Sequence, residues 1–201
     1  MTYLDLLCSH LSRMPLETLW HLDDEPALHL PKVRGNPKTT AIDMIYESLK
    51  NTCSHSKHLA NVARVYCFVA EQDFLQPWML YSLGRRENHV AHALGVLNTV
   101  LPGKVGCHTK ATTSYWCTCL VATDEVGWMV CTPGIFCVWP SFAYVAVHEP
   151  SPGHAPFVTR MLEQMLGEEP DSFHCGIYQG MNDARAAARR LSLLRGSNNC
   201  V

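Results

Sequence analysis

Residues 143–166 read "AYVAVHEPSPGHAPFVTRMLEQML", an apolar alternating run, a Pro/Gly loop and an amphipathic segment in immediate succession. The alternation through "SFAYVAVHEP" predicts a strand. Beyond the loop, Phe157, Met161 and Met165 recur on one helical face with Val158 and Leu162 beside them, which predicts a helix. Upstream, "TTSYWCTCLVATDE" and "VGWMVCTPGIFCVW" are rich in Thr, Val, Tyr, Trp and Phe, and "TDEVG" between them suits a hairpin. Downstream, "SFHCGIYQG" predicts a strand. The following "MNDARAAARRLSLLRG" predicts a helix with Ala184, Ala187, Leu191 and Leu194 inward and its arginines outward. The C-terminal half therefore reads β-β-β-α-β-α, an α/β (α+β) domain with a mixed sheet and flanking helices.

The N-terminal half is helical in texture. Residues 1–40 mix short apolar clusters with "DDEP" and the breaker-rich "HLPKVRGNPKTT", which predicts an extension ending in a linker. Thr40 suits a cap for "AIDMIYESLK", where Ile42, Ile45 and Leu49 share a face, and a second helix is expected from His55. "VARVYCFVAE" fits a strand or a continuing helix equally well. "PWMLYSL" begins with Pro77 as a first-turn residue and is read as a helix. So is "ENHVAHALGVLNTVL", with Val90, Leu94 and Leu97 at helical spacing and Pro102-Gly103 as its stop. The expected division is an extension over residues 1–58 and a sheet domain over 59–201.

Composition excludes some classes of function. A hydrophobic share of 47% against 17% charged residues is that of a globular chain, and a formal charge of −2 with no Lys/Arg run gives no footprint for nucleic acid or an anionic membrane. No run approaches the ~18 apolar residues of a spanning helix, and "MTYLDLLCSHLSRM" lacks the pattern of an export signal. A soluble cytoplasmic protein is expected, with its ten cysteines reduced. Cys119, Cys131, Cys137 and Cys175 lie in apolar runs and read as small hydrophobes.

The order strand, Gly-containing loop, helix, strand, helix opening near Asn182 resembles the acyl-CoA-binding half of the GNAT N-acetyltransferase superfamily. "PSPGHA" places Gly153 and Ala155, with His154 between them, at the last positions of that family's Q/R-x-x-G-x-G/A loop; Pro150 stands where Gln or Arg is usual. The resemblance implies an acyl-CoA such as acetyl-CoA as cofactor, an amine as acceptor, and a strand whose main chain at Val145 and Val147 pairs with the pantetheine arm. It also implies a contact from Asn182 to that arm; capping the last helix is the alternative role. Independently of any family, a helix N-terminus offers unpaired N–H groups and partial positive charge to a phosphate, and Gly153 permits close approach.

Acyl transfer from a thioester to an amine needs a base and an acid. Glu149 and His148 at the strand end are the candidate bases. The family's Tyr acid has no counterpart in "ARAAARRLSLL", and Tyr178 is badly placed to replace it. This favours a divergent or truncated member, or the same fold kept as a catalytically inactive structural or interaction protein, with contacts through the N-terminal helices. A third class is a Cys/His hydrolase or deamidase using Cys131 or Cys119 with His148 or His154. Cys53, His55, His58 and Cys67 are close enough in sequence to raise the question of zinc, but their spacing fits no finger, and no metal is assigned.

Overall fold

A computed structural model describes residues 2–25, 30–84, 88–99, 105–112, 115–123, 131–148 and 156–197. Among them are seven α-helices and a six-stranded open antiparallel sheet. In chain order these are α1 (Tyr3–Arg13), α2 (Leu16–Leu19), α3 (Lys38–Lys50), α4 (His55–Glu71), β1 (Trp78–Ser82), α5 (His89–Asn98), β2 (Val105–Ala111), β3 (Trp116–Thr123), β4 (Cys131–Trp139), β5 (Tyr144–His148), α6 (Pro156–Leu166), β6 (His174–Tyr178) and α7 (Met181–Ser197). The sheet order is β2-β3-β4-β5-β1-β6. No described helix is long and apolar enough to cross a membrane. The chain divides into two compact units. One holds residues 1–74, 102–108 and 119–133, and the other 75–101, 109–118 and 134–201. The expected boundary at residues 58 and 59 falls inside α4.

In the first unit α1 opens with a capping box: the Thr2 hydroxyl accepts from the Asp5 amide while the Asp5 carboxylate accepts from the Thr2 amide. Leu4, Leu7 and Leu11 form its buried stripe; Ala41, Ile45 and Leu49 form that of α3. Helix α3 begins after Pro37, so Thr40 stands within its first turn instead of capping it. The expected linker is tied down. Val33 is fully buried, and the Asp23 carboxylate accepts from the amides of Val33 (2.8 Å) and Arg34 (2.9 Å). The ambiguous "VARVYCFVAE" is the second half of α4, with Val62, Val65, Tyr66 and Val69 all buried.

In the second unit the main correction to the sequence reading is "PWMLYSL", which is the strand β1 and not a helix. It lies between two antiparallel neighbours, opposing β5 from Met79↔Val147 to Ser82↔Tyr144 and β6 from Trp78↔Tyr178 to Tyr81↔His174. Pro77 precedes the first rung, where a missing N–H costs the ladder nothing. The strand β2 was not foreseen. Helix α6 begins at Pro156 as its first-turn geometry suggests, but its buried stripe is Val158, Leu162 and Met165, one position round from the expected face. In α5 the buried residues are Ala93, Val96 and Leu97, and in α7 they are Met181, Ala184, Ala187 and Ala188. Leu194, expected inward, is 64% exposed.

Two measurable consequences follow from this packing. A Cβ on Gly134 of β4 would lie 2.6 Å from Val158 Cγ2 and 3.0 Å from Phe157 Cζ, so glycine is what lets α6 approach the sheet. Gly134→Ala is expected to lower stability by about 1–3 kcal/mol in urea unfolding through overpacking, and Gly134→Ala with Val158→Ala to recover part of the loss. In the first unit, burial and the adjacent Arg13 cation push His10 down to about 4. Arg13 Nη2 donates to His10 Nδ1 at 2.5 Å, which fixes the neutral ring with its proton on Nε2. A depressed folded-state value means that the unfolded chain binds the proton more readily. The His10 contribution is therefore complete above the ordinary histidine value of 6.5 and is lost as pH falls toward about 4. Melting temperatures across that window are expected to fall less steeply for His10→Phe than for the parent.

Candidate functional site

Strand β5 is where sequence reasoning placed the chemistry, and its surroundings decide what that strand can do. Val145 faces Tyr81 on β1 and Val138 on β4; Val147 faces Met79 and Phe136. An interior antiparallel strand gives its N–H and C=O groups alternately to the two neighbours. The main chain of Val145 and Val147 is thus spent within the sheet, and the free edge that strand addition by a ligand requires is absent there. Their side chains are fully buried core.

His148 closes β5 and is fully buried. Its Nδ1 donates to the Pro77 carbonyl at 2.8 Å, and its ring centroid lies 5.6 Å from that of Trp78. The acceptor is a carbonyl oxygen, so the proton sits on Nδ1. The buried ring ties the end of β5 to the residue that leads into β1. A general base must reach its proton in a plausible substrate pose, and a ring wholly out of water at this point serves as a clamp. Glu149, Gly153, His154 and Ala155 lie outside the described residues, as do Pro150 and Pro152. Asn182 is exposed and is the second residue of α7, two positions past the cap; the Gly180 carbonyl accepts from the Ala184 amide there.

At the opposite end of β5 the structure assembles a group that sequence reasoning missed. Arg195 of α7 donates to Ser82 Oγ at 2.7 Å, and its guanidinium carbon lies 5.2 Å over the Tyr144 ring. Ser192 Oγ donates to the Phe142 carbonyl at 3.1 Å, so this hydroxyl is committed to the main chain. Burial raises the Tyr144 phenol above its ordinary value, and the Arg195 cation opposes that rise. A cation over an aromatic ring with a hydrogen bond beneath it anchors the last helix to β1 and β5. The one signal in the sequence was an arginine after an apolar stretch near the end of an amphipathic helix, which by itself names no partner.

Among the described residues, no group of three or more His, Cys, Asp or Glu side chains is arranged to hold a metal. His58 donates from Nδ1 to the Leu49 carbonyl at 2.7 Å while the Tyr3 hydroxyl meets Nε2, so both ring nitrogens are committed. Cys67 is buried with Sγ 3.5 Å from the His108 carbonyl, and Cys53 is exposed. His58 is a part-buried pin between α1, α3 and α4.

Most of the thiols with described side chains are buried or half-buried. Cys117, Cys119 and Cys137 are fully buried. Burial, then the Asp5 and Asp43 carboxylates, push Cys8 up to about 11, and burial raises Cys175. An activated thiol needs the opposite, a lowered value and access. The side chains of Cys107 and Cys131 and the whole of Cys200 lie outside the described residues. No known protein family matches the chain, and no curated protein is similar enough to align with it. In iodoacetamide footprinting of the native protein, Cys117, Cys119 and Cys137 are expected to stay protected and Cys53 to be alkylated well before Cys8. Rapid labelling of Cys119 that slows in a His148→Ala variant would reinstate a Cys/His pair.

Proposed function

We propose that this chain is a non-catalytic protein-interaction module, with the sheet serving as its scaffold. The observation that carries the reading is where the exposed large apolar side chains fall. Among the described residues these are Ile177 (62%), Leu193 (66%) and Leu194 (64%), all on β6 and α7 at the end of the chain. Apolar groups exposed together and rimmed by polar ones mark contact surfaces, and these three lie on two elements that touch, β6 and α7. The reactive groups argue the same way, since His148 and the thiols of β3 and β4 with described side chains are buried.

A second reading is acyl transfer from acetyl-CoA to an amine. It is favoured by the element order β5, loop, α6, β6, α7 and by Pro156 opening α6, whose first amides have no helical partner. In that reading Glu149 is the base and the loop through Gly153, His154 and Ala155 holds the pyrophosphate.

Thermal melting with millimolar CoA and acetyl-CoA separates the two. A ligand at ~100 times its dissociation constant adds ~2.7 kcal/mol to the native state, worth roughly 2–4 °C per kcal/mol in a chain of this size. No shift is expected. A shift of about 5 °C or more, lost in Gly153→Val while the ligand-free melting temperature holds, would overturn the interaction reading and establish the acyl-CoA one.

A further inference from the structure

The surface around β6 carries two sets of opposite charge that do not meet each other. Just before the strand, Glu168, Glu169 and Asp171 are all exposed; just after it, Arg185, Arg189 and Arg190 are exposed on α7. None of these six side chains has an ion pair or hydrogen bond among the described residues, where the ion pairs are Arg34–Asp24 and Lys50–Glu47. The opposite face of α7 is anchored through Met181, Ala184, Ala187 and Ala188, so its arginines stand on the outward side, followed by exposed Leu193 and Leu194.

We propose that this module binds a second copy of its own chain across the β6 edge, the acidic segment of each copy facing the α7 arginines of the other. The proposal rests on the interaction reading and names its partner. Three features select a second copy. First, the chain supplies both halves of the complementarity within one unit. Second, β6 is the edge of the sheet, and His174–Tyr178 holds none of the Lys, Asp, Glu or Pro residues that usually blunt an edge. Third, in an antiparallel approach of two β6 edges, the segment preceding the strand in one copy runs beside the helix that follows it in the other.

The two interfaces so formed are related by a twofold axis, as closed dimers require. A register shift opposite Leu80 and Tyr81 bends the His174 end, leaving Gly176–Tyr178 as the straight part of the edge. Charge and exposed Ile177, more than main-chain pairing, then carry the association. A formal charge of −2 per chain sets little net repulsion against it. A nucleic acid or an anionic membrane is the lesser match for the arginines, because three carboxylates lie one short strand away and the exposed face of α7 presents no aromatic ring.

Sedimentation velocity of the full chain over a concentration series tests this. The parent is expected to pass from monomer to dimer with rising concentration, and the transition to move to higher concentration in added salt. Arg185→Glu with Arg189→Glu and Arg190→Glu is expected to lower the association constant by about tenfold or more, as is Glu168→Lys with Glu169→Lys and Asp171→Lys. An equimolar mixture of the two variants restores the dimer, because each acidic segment again meets a basic helix. Circular dichroism and melting of both variants should match the parent, since all six side chains are in water; alanine versions serve where a reversal lowers the melting temperature. A parent that stays monomeric throughout, a reversal without effect, or a mixture that fails to reassociate would each overturn the proposal. So would arginine-dependent binding of the parent to single-stranded RNA or phosphatidylserine vesicles in place of self-association. A CoA-induced melting shift sinks the interaction reading, whereas a monomer that ignores CoA sinks this inference alone.

Discussion

The insertion of β1 between β5 and β6 is the constraint on which the second unit depends. Trp78–Ser82 arrives early in the chain, yet its two ladders are completed by strands formed much later. Once β1 is in place, β5 has a neighbour on each side and its main chain is closed to any ligand. β6 becomes an edge, and α7 returns from that edge to set Arg195 against Ser82 and Tyr144. The buried indole of Trp78 is satisfied locally by the Leu75 carbonyl at 2.9 Å, so the largest side chain of the strand enters the core without an orphaned donor.

Elements whose evidence is local were legible in the sequence. The strands around Cys119, Phe136 and Val145, the helix opening at Pro156 and the helix through Ala184 and Ala187 all announce themselves by period and by breakers. What failed was non-local. "PWMLYSL" carries Pro at a position equally good for a first helical turn and for the residue before a strand, and five residues are too few for period to decide. Its identity was fixed by partners that no window around it contains. The face errors have a different cause: a stripe of apolar residues wider than the contact, as in α6, leaves the tertiary neighbour to choose which edge of the stripe is buried. At Gly134 the helix comes close through Val158 and Phe157. On α7 the alanines were selected because the helix lies close to the sheet, which left Leu194 on the outside.

The candidate site was legible as residue types and not as roles. His148 was singled out correctly as the polar residue ending β5, but a histidine in sequence does not reveal whether its ring faces solvent or a carbonyl. Cys53, His55, His58 and Cys67 show the same limit. Their spacing permitted a metal, whereas the helices give His58 to Leu49 and Tyr3 and leave Cys53 in water. The charges flanking β6 were visible as letters all along. Their meaning depends on knowing that β6 is an edge and that neither set finds a partner within its own chain.

Several buried or part-buried side chains close the main chain. His148 donates to Pro77, Trp78 to Leu75, Ser192 to Phe142, His58 to Leu49 and Tyr66 to Tyr3, each to a main-chain carbonyl. The Leu75, Pro77 and Phe142 carbonyls lie in connections outside helix and strand, and burying such a group unpaired costs about 1–3 kcal/mol. A side chain engaged in this way is held in one orientation and fastens the chain where it bends or changes element. Within the described part of the α6–β6–α7 segment, the carboxylates, arginines and leucines on the outside are the side chains placed to meet another molecule.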